Sequence, residues 1–120
     1  VVDDEPDAAP LFLQRFRREV RKGEVLIRTA ESGTQALDIL QDFHKEVPLL
    51  ILSDINMPGM NGIQLLQEVR ERYPDLKIFM VSAYYHNPTY QEAATNYGAD
   101  DFIPKPINFP ELKEKIFGMV

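Results

Sequence analysis

Two kinds of hydrophobic segment alternate along the chain. Apolar residues spaced three to four positions apart predict amphipathic helices, and short runs of consecutive apolar residues predict strands that are buried on both faces. The apolar faces of five predicted helices lie within residues 11–20, 36–43, 63–69, 93–97 and 112–116. The five predicted strands cover residues 1–2, 25–27, 49–53, 78–81 and 102–103. Strand and helix therefore alternate from one end of the sequence to the other.

Polar residues mark where several of these helices begin. Ser32 followed by Gln35 matches a capping box, in which each side chain bonds to the main chain of the other's position. Asn61 is the expected N-cap of the third helix, and Asn87 followed by Pro88 is the expected start of the fourth. These signals agree with the boundaries that the hydrophobic pattern predicts.

Alternating strands and helices predict an α/β fold with a parallel sheet that is covered on both faces, a doubly wound sandwich. Functional sites of such sheets lie at the carboxyl ends of the strands. Polar residues follow four of the five predicted strands at that end: Asp3 and Asp4, Asp54, Ser82, and Lys105. We expect these side chains to lie close together.

Composition narrows the possible functions. The chain has 120 residues, 44% of them hydrophobic, which suits a single domain with its own core. It has no cysteine, which excludes disulfides and agrees with a cytoplasmic protein. The net charge of −6 argues against a direct nucleic-acid surface, and no apolar run is long enough to span a membrane. Because residues 1–2 are short for a central strand, we expect that strand to be truncated and residues 1–120 to be one domain of a longer protein.

Three carboxylates at one sheet edge predict a magnesium site. Like charges repel, so the cluster needs a cation, and Mg²⁺ prefers oxygen ligands. Asp4 and Asp54 are the expected direct ligands, together with the main-chain carbonyl of Asn56. Asp3 is expected to hold a bound water.

A carboxylate can also attack phosphorus and form an acyl phosphate. Asp54 is the expected acceptor because it ends the most apolar strand. Lys105 would neutralise charge on the transferred group, and the Ser82 hydroxyl could donate a hydrogen bond to it. Each residue has a plainer interpretation as a turn, cap or surface residue. Their shared position at the ends of parallel strands favours the interpretation that they form a functional site.

The chain resembles, over its whole length, the CheY-like receiver domain of two-component response regulators. The motifs that carry the resemblance are Val-Val-Asp3-Asp4-Glu, Asp54-Ile-Asn-Met-Pro58-Gly-Met-Asn-Gly62, Ser82-Ala83, and Gly98-Ala-Asp-Asp-Phe102-Ile-Pro-Lys105-Pro106. The resemblance implies a flavodoxin-like (βα)5 fold with a five-stranded sheet in the order 2-1-3-4-5. It also implies phosphorylation of Asp54 by a histidine kinase or phosphotransfer protein, with Mg²⁺, and a cis peptide before Pro106.

The resemblance further implies a switch formed by Ser82 and Phe102. Output would leave by the face of the fourth helix, fifth strand and fifth helix, which the family also uses for homodimers. The first helix, with four arginines, is a candidate kinase-docking surface. Asn56 and Tyr84 are candidate modulators, and Tyr84 is expected to shield the acyl phosphate from water.

Two other function classes remain to be separated from this one. An aspartate-nucleophile phosphatase uses two aspartates separated by one residue, whereas Asn56 stands two residues after Asp54 and the acidic pair comes first in the chain. Turnover of a phosphate ester would identify such an enzyme. A receiver-like module that only binds a partner usually lacks an acidic residue or the lysine, and this chain has them all.

Overall fold

The computed structural model describes residues 1–42, 48–83 and 88–119. Three strands are present in these residues: β1 (Leu50–Asp54), β2 (Lys77–Ser82) and β3 (Asp101–Pro104). The helices are α1 (Ala8–Arg15), α2 (Arg17–Arg21), α3 (Gly33–Asp42), α4 (Gly62–Arg72), α5 (Pro88–Asn96) and α6 (Phe109–Phe117). No helix in the described part of the chain is long and apolar enough to cross a membrane.

The sheet has the predicted parallel order. β1 pairs with β2 and β2 pairs with β3, both in parallel. Val2 forms parallel bridges with Ala30 on one side and with Ser53 of β1 on the other. The order across the sheet is therefore the segment at Ala30, the segment at Val2, β1, β2 and β3. This is the order 2-1-3-4-5, and the predicted fold class is confirmed.

The first two strands are shorter than the hydrophobic pattern predicted. Residues 25–27 form no strand, and the pairing in that part of the chain falls at Ala30 instead. The Ala30 N–H donates to Val1 O at 2.9 Å, and the Asp3 N–H donates to Ala30 O at 3.0 Å. The Val1 amino group also donates to Arg28 O at 2.9 Å, so within the described residues the hydrogen bonds of this ladder lie at Arg28 and Ala30 rather than at residues 25–27.

The first helix is also interrupted, where one continuous helix was predicted. Phe16 has φ −102° and ψ 11° and separates α1 from α2. Its ring is almost completely buried, stacked on Phe12 at 6.2 Å and edge-on to Phe109 at 6.3 Å. Leu11 and Val20, which the pattern assigned to the apolar face, are instead exposed. The break accompanies the burial of Phe16 under α6.

The core consists of two hydrophobic clusters, one on each face of the sheet. Successive strand residues point to opposite faces, so Ile51 and Leu52 belong to different clusters. Ile78 and Phe79 are divided in the same way. The first cluster packs under α3, α4 and α5, and the second packs under α1 and α6. Both faces are thus covered, as expected for a doubly wound sheet.

The predicted helix starts are largely as expected. Asn61 and Gln64 form a complete capping box at α4. The Ser32 hydroxyl accepts from the Gln35 N–H at 3.1 Å, but the Gln35 side chain accepts from Glu31 rather than from Ser32. Asn87 and Phe43 lie outside the described residues.

Candidate functional site

Main-chain hydrogen bonds hold the polar residues at one edge of the sheet. The Asp54 N–H donates to Val2 O at 2.9 Å, which fixes the end of β1 beside Asp3. The Lys105 N–H donates to Ser82 O at 3.0 Å, which fixes Lys105 at the end of β2. The peptide bond from Lys105 to Pro106 is cis, as expected. The carboxyl ends of the strands therefore form one site.

The three aspartates of the site are close enough to share a cation. Asp3, Asp4 and Asp54 each offer a carboxylate oxygen, and these oxygens lie within 4.8 Å of one another. The Asp54 side chain is only 7% exposed and that of Asp3 is 11% exposed. Three acidic groups this close repel one another, and a hard divalent cation is the partner that such an oxygen donor set accepts. The residues present thus fit Mg²⁺.

Lys105 joins two of these carboxylates. Its Nζ lies 3.2 Å from Asp54 Oδ2 and 3.3 Å from Asp3 Oδ2. Burial alone would lower the pKa of Lys105, but the charges of Asp54 and Asp3 outweigh it and raise that pKa above its usual value. The lysine therefore stays charged and can face a negatively charged group.

The acceptor candidate itself has a perturbed pKa. Burial raises the pKa of the Asp54 carboxyl above its usual value, and this outweighs the opposing charge of Lys105. The charge of Asp3 raises it further, whereas the Asn56 N–H, which donates to the Asp54 carboxylate, lowers it. The ionised form of Asp54 is therefore poorly compensated without a further cation.

The remaining predicted residues surround this centre at different depths. Ser82 is completely buried and follows Val81, the residue paired with Asp54 across β1 and β2. Phe102 pairs with Met80 and packs, partly buried, against the cluster under α3, α4 and α5. Its position agrees with a core role as well as with a switch role. Tyr84 lies outside the described residues, so its predicted shielding role stays a prediction.

Two residues near Asp54 belong to the site although the sequence pattern assigns neither of them a role there. The hydrophobic pattern predicts Ser53 as the end of a buried strand, and its hydroxyl donates to the main-chain oxygen of Asp54 at 3.0 Å. Gly62 ends one of the motifs that carry the resemblance, and a Cβ at this position would lie 2.1 Å from the same oxygen. The only sequence signal for either was a small or polar residue beside an otherwise apolar segment.

Comparison with known proteins agrees with this geometry. The family model described as "Response regulator receiver domain" matches residues 1–117. The DNA-binding transcriptional regulator NtrC of Proteus hauseri is 35% identical over 114 residues. That match covers 92% of this chain but 22% of the relative, so the chain spans about a fifth of that protein's length.

Solved structures give the same result. The response regulator TrrA of Thermotoga maritima, solved in complex with Mg²⁺-BeF, is 34% identical with a TM-score of 0.77, and the match covers 99% of this chain and 95% of that one. The receiver domain of NtrX from Brucella abortus is 30% identical with a TM-score of 0.82, covering 98% and 93%. The chain belongs to the response regulator receiver domain family, the phosphoacceptor domains of two-component signalling.

Proposed function

We propose that Asp54 is the residue of this receiver domain that accepts the phosphoryl group. The observation that carries the proposal is the position of its carboxylate. It is almost buried at the carboxyl edge of the sheet, 3.2 Å from the Lys105 ammonium and beside the carboxylates of Asp3 and Asp4. Asp3 also lies close to Lys105, at 3.3 Å, but Asp54 is the more deeply buried of the two and is the residue that the family similarity assigns as the acceptor.

The proposed reaction is a transfer from a phosphohistidine to a carboxylate. An Asp54 carboxylate oxygen attacks phosphorus, the bond between phosphorus and the imidazole nitrogen breaks, and the imidazole keeps the bond's electron pair and takes up a proton. Lys105 stays charged and binds the phosphoryl oxygens, which offsets the negative charge there. The chain would promote only its own phosphorylation and dephosphorylation.

Mg²⁺ is the proposed cofactor, because it neutralises charge on a transferring phosphoryl group. Asp4, Asp54 and the Asn56 carbonyl are the proposed direct ligands, with Asp3 holding a water. The Mg²⁺-BeF complex of the Thermotoga maritima relative supports this assignment by similarity. Asp54 would then serve as both ligand and acceptor.

Phosphorylation is proposed to act through Ser82 and Phe102. A phosphoryl group adds a charge of about −1.5 to −2. The new oxygens would draw the Ser82 hydroxyl toward them, and Phe102 would turn inward against the core. The face of α5, β3 and α6 is the proposed output surface, where an output domain or a second copy would bind.

The upstream partner is proposed to be a histidine kinase or phosphotransfer protein in the cytoplasm, where kinases obtain ATP. The arginines of α1 and α2 are the candidate docking charges. Residues 1–120 are proposed to be one domain, and the output of the whole protein is open, because the relatives range from transcriptional regulators to a sensor kinase.

A Mg²⁺ titration followed by NMR tests the site. We expect saturable shifts around Asp54 in the native chain and at least tenfold weaker binding in Asp4→Asn. Asp7→Asn is the matched control, because Asp7 is an exposed acid of the same loop that makes no capping hydrogen bond. Equal Mg²⁺ affinity in the native chain and Asp4→Asn would rule out the proposed ligand set.

A further inference from the structure

The main-chain carbonyl of Asp54 lies where the hydrogen-bond ladder of β1 ends. Main-chain groups of successive strand residues point alternately to the two edges of a strand. The Ile55 N–H donates to Val81 O on the β2 edge at 3.1 Å, so the N–H and carbonyl of Asp54 face the opposite edge. There the Val2 N–H donates to Leu52 O at 2.7 Å and the Asp54 N–H donates to Val2 O. The next rung would be a donor to Asp54 O, and within residues 1–42, 48–83 and 88–119 no main-chain N–H provides it.

The Ser53 side chain takes the place of that rung. Its hydroxyl donates to Asp54 O at 3.0 Å, and the residue is completely buried. The start of α4 closes over the same oxygen, since even a single added carbon on Gly62 would lie 2.1 Å from it. The Asp54 carbonyl is therefore enclosed by α4 on one side and bonded to the buried Ser53 hydroxyl.

We propose that Ser53 is a positioning residue that fixes the peptide unit between Asp54 and Ile55. Two residues further on, the Asn56 N–H donates to the Asp54 carboxylate. The Asn56 carbonyl, a proposed Mg²⁺ ligand, belongs to the same short segment. One buried hydroxyl thus orients the segment that supplies both a donor to the acceptor and a ligand to the metal.

The role of Ser53 adds a positioning residue to the proposed metal site and rests in part on that proposed function. Losing one neutral hydrogen bond of this kind corresponds to a change of about threefold to tenfold in an equilibrium constant. We expect Ser53→Ala to raise the Mg²⁺ dissociation constant by about that factor. In the metal-free chain we expect faster amide hydrogen exchange at Asn56 by a similar factor, because the segment is less fixed.

The NMR experiment compares the native chain, Ser53→Ala, Ser53→Cys and Ile78→Val. Ser53→Cys keeps the size and a weak donor, so we expect intermediate values. Ile78→Val is the matched control, since it removes one methyl group from a completely buried residue at the other end of the neighbouring strand. It lowers stability without contacting Asp54, so both readouts should stay at native values.

Each outcome decides the inference. Weaker Mg²⁺ binding and faster Asn56 exchange in Ser53→Ala but not in Ile78→Val support it. Native values in Ser53→Ala, or equal changes in Ile78→Val, overturn it. If Ser53→Ala does not fold, the same criteria apply to Ser53→Cys. If the native chain binds no Mg²⁺, the proposed metal site fails, and the Asn56 exchange rate in metal-free protein then decides the inference alone.

Discussion

Gly62, the first residue of α4, packs closely against the main chain of Asp54 and Ile55. A Cβ at this position would lie 2.1 Å from Asp54 O, 2.7 Å from the Ile55 Cα and 2.8 Å from the Met80 Cε. The Met80 methyl can rotate away, but the other two atoms belong to the main chain of the site. The Gly62 N–H also donates to Ile55 O at 2.8 Å, which holds the helix against this segment.

We predict that Gly62→Ala strongly destabilises the fold and disturbs the site. Real Cβ atoms essentially never come closer than 3.0 Å to a heavy atom, so α4 and the Asp54–Ile55 segment must separate by about 0.9 Å. Overpacking that forces a backbone shift typically costs about 1–3 kcal/mol, and we expect about 3 kcal/mol here because two of the three clashing atoms belong to the main chain. Because the moving segment leads to Asn56, we also expect Mg²⁺ binding at least about tenfold weaker, as a small misplacement of ligands is costly.

Urea unfolding in the presence of chelator measures the first effect, and an NMR titration measures the second. Gly59→Ala is the control. Its φ of +72° strains an alanine by about 1 kcal/mol, but no atom lies within 4 Å of the added Cβ. We expect Gly59→Ala to lower the free energy of unfolding by about 1 kcal/mol. A loss in Gly62→Ala no larger than that in Gly59→Ala would refute the packing argument.

Three further predictions concern charge. In metal-free protein, Asp54→Asn should have a higher free energy of unfolding than the native chain near neutral pH. The reason is that the pKa of Asp54 is raised in the folded state, so its ionisation destabilises the fold by about 1.4 kcal/mol for each pKa unit. That difference in stability should vanish below the ordinary aspartate pKa, where Asp54 is protonated in both the folded and the unfolded native chain. A difference in stability that does not change with pH in urea unfolding contradicts this prediction. Lys105→Met should bind Mg²⁺ at least as tightly as the native chain, because a competing cation is gone, yet gain a phosphoryl group at least about tenfold more slowly; an unchanged rate of adduct formation contradicts it. Arg70→Met should lower the free energy of unfolding by about 2–3 kcal/mol, because the Arg70 guanidinium donates hydrogen bonds to Asp100 at 2.6 Å and to several main-chain carbonyls. Arg72→Met is the control, and its free energy of unfolding should fall by less than about 0.5 kcal/mol, since the ion pair of Arg72 is exposed. Equal losses of stability for the two variants in thermal unfolding contradict this prediction.

The convergence of the site followed from the sequence pattern for a simple reason, whereas the sheet order was implied by the resemblance to receiver domains. Parallel strands that alternate with helices place all their carboxyl ends at one edge, so Asp3, Asp54 and Lys105 had to approach one another. The distances of 3.2 and 3.3 Å from the lysine to the two carboxylates agree with that expectation. Long apolar runs such as that of β1 left little doubt about which strand is central.

The errors came from features that depend on tertiary contacts. The helix interruption at Phe16 accompanies the packing of its ring against Phe109, a residue far away in the sequence. A strand also needs hydrogen bonds to a neighbouring segment, and those of the described residues join Val1 and Asp3 to Arg28 and Ala30, not to residues 25–27. Ser53 is a different case, because its hydrogen bond to the main chain of the next residue is local and hydrophobic periodicity does not reveal it.

Intact mass after incubation with acetyl phosphate and Mg²⁺ tests the central claim most directly. We predict one phosphoryl adduct on the native chain, lost on treatment with base, as an acyl phosphate should be. We predict none on Asp54→Asn, and none when a chelator replaces Mg²⁺. A folded native chain that binds Mg²⁺ but gains no adduct would contradict the account and favour a module that only binds a partner. An equal adduct on Asp54→Asn would contradict the assignment of the acceptor.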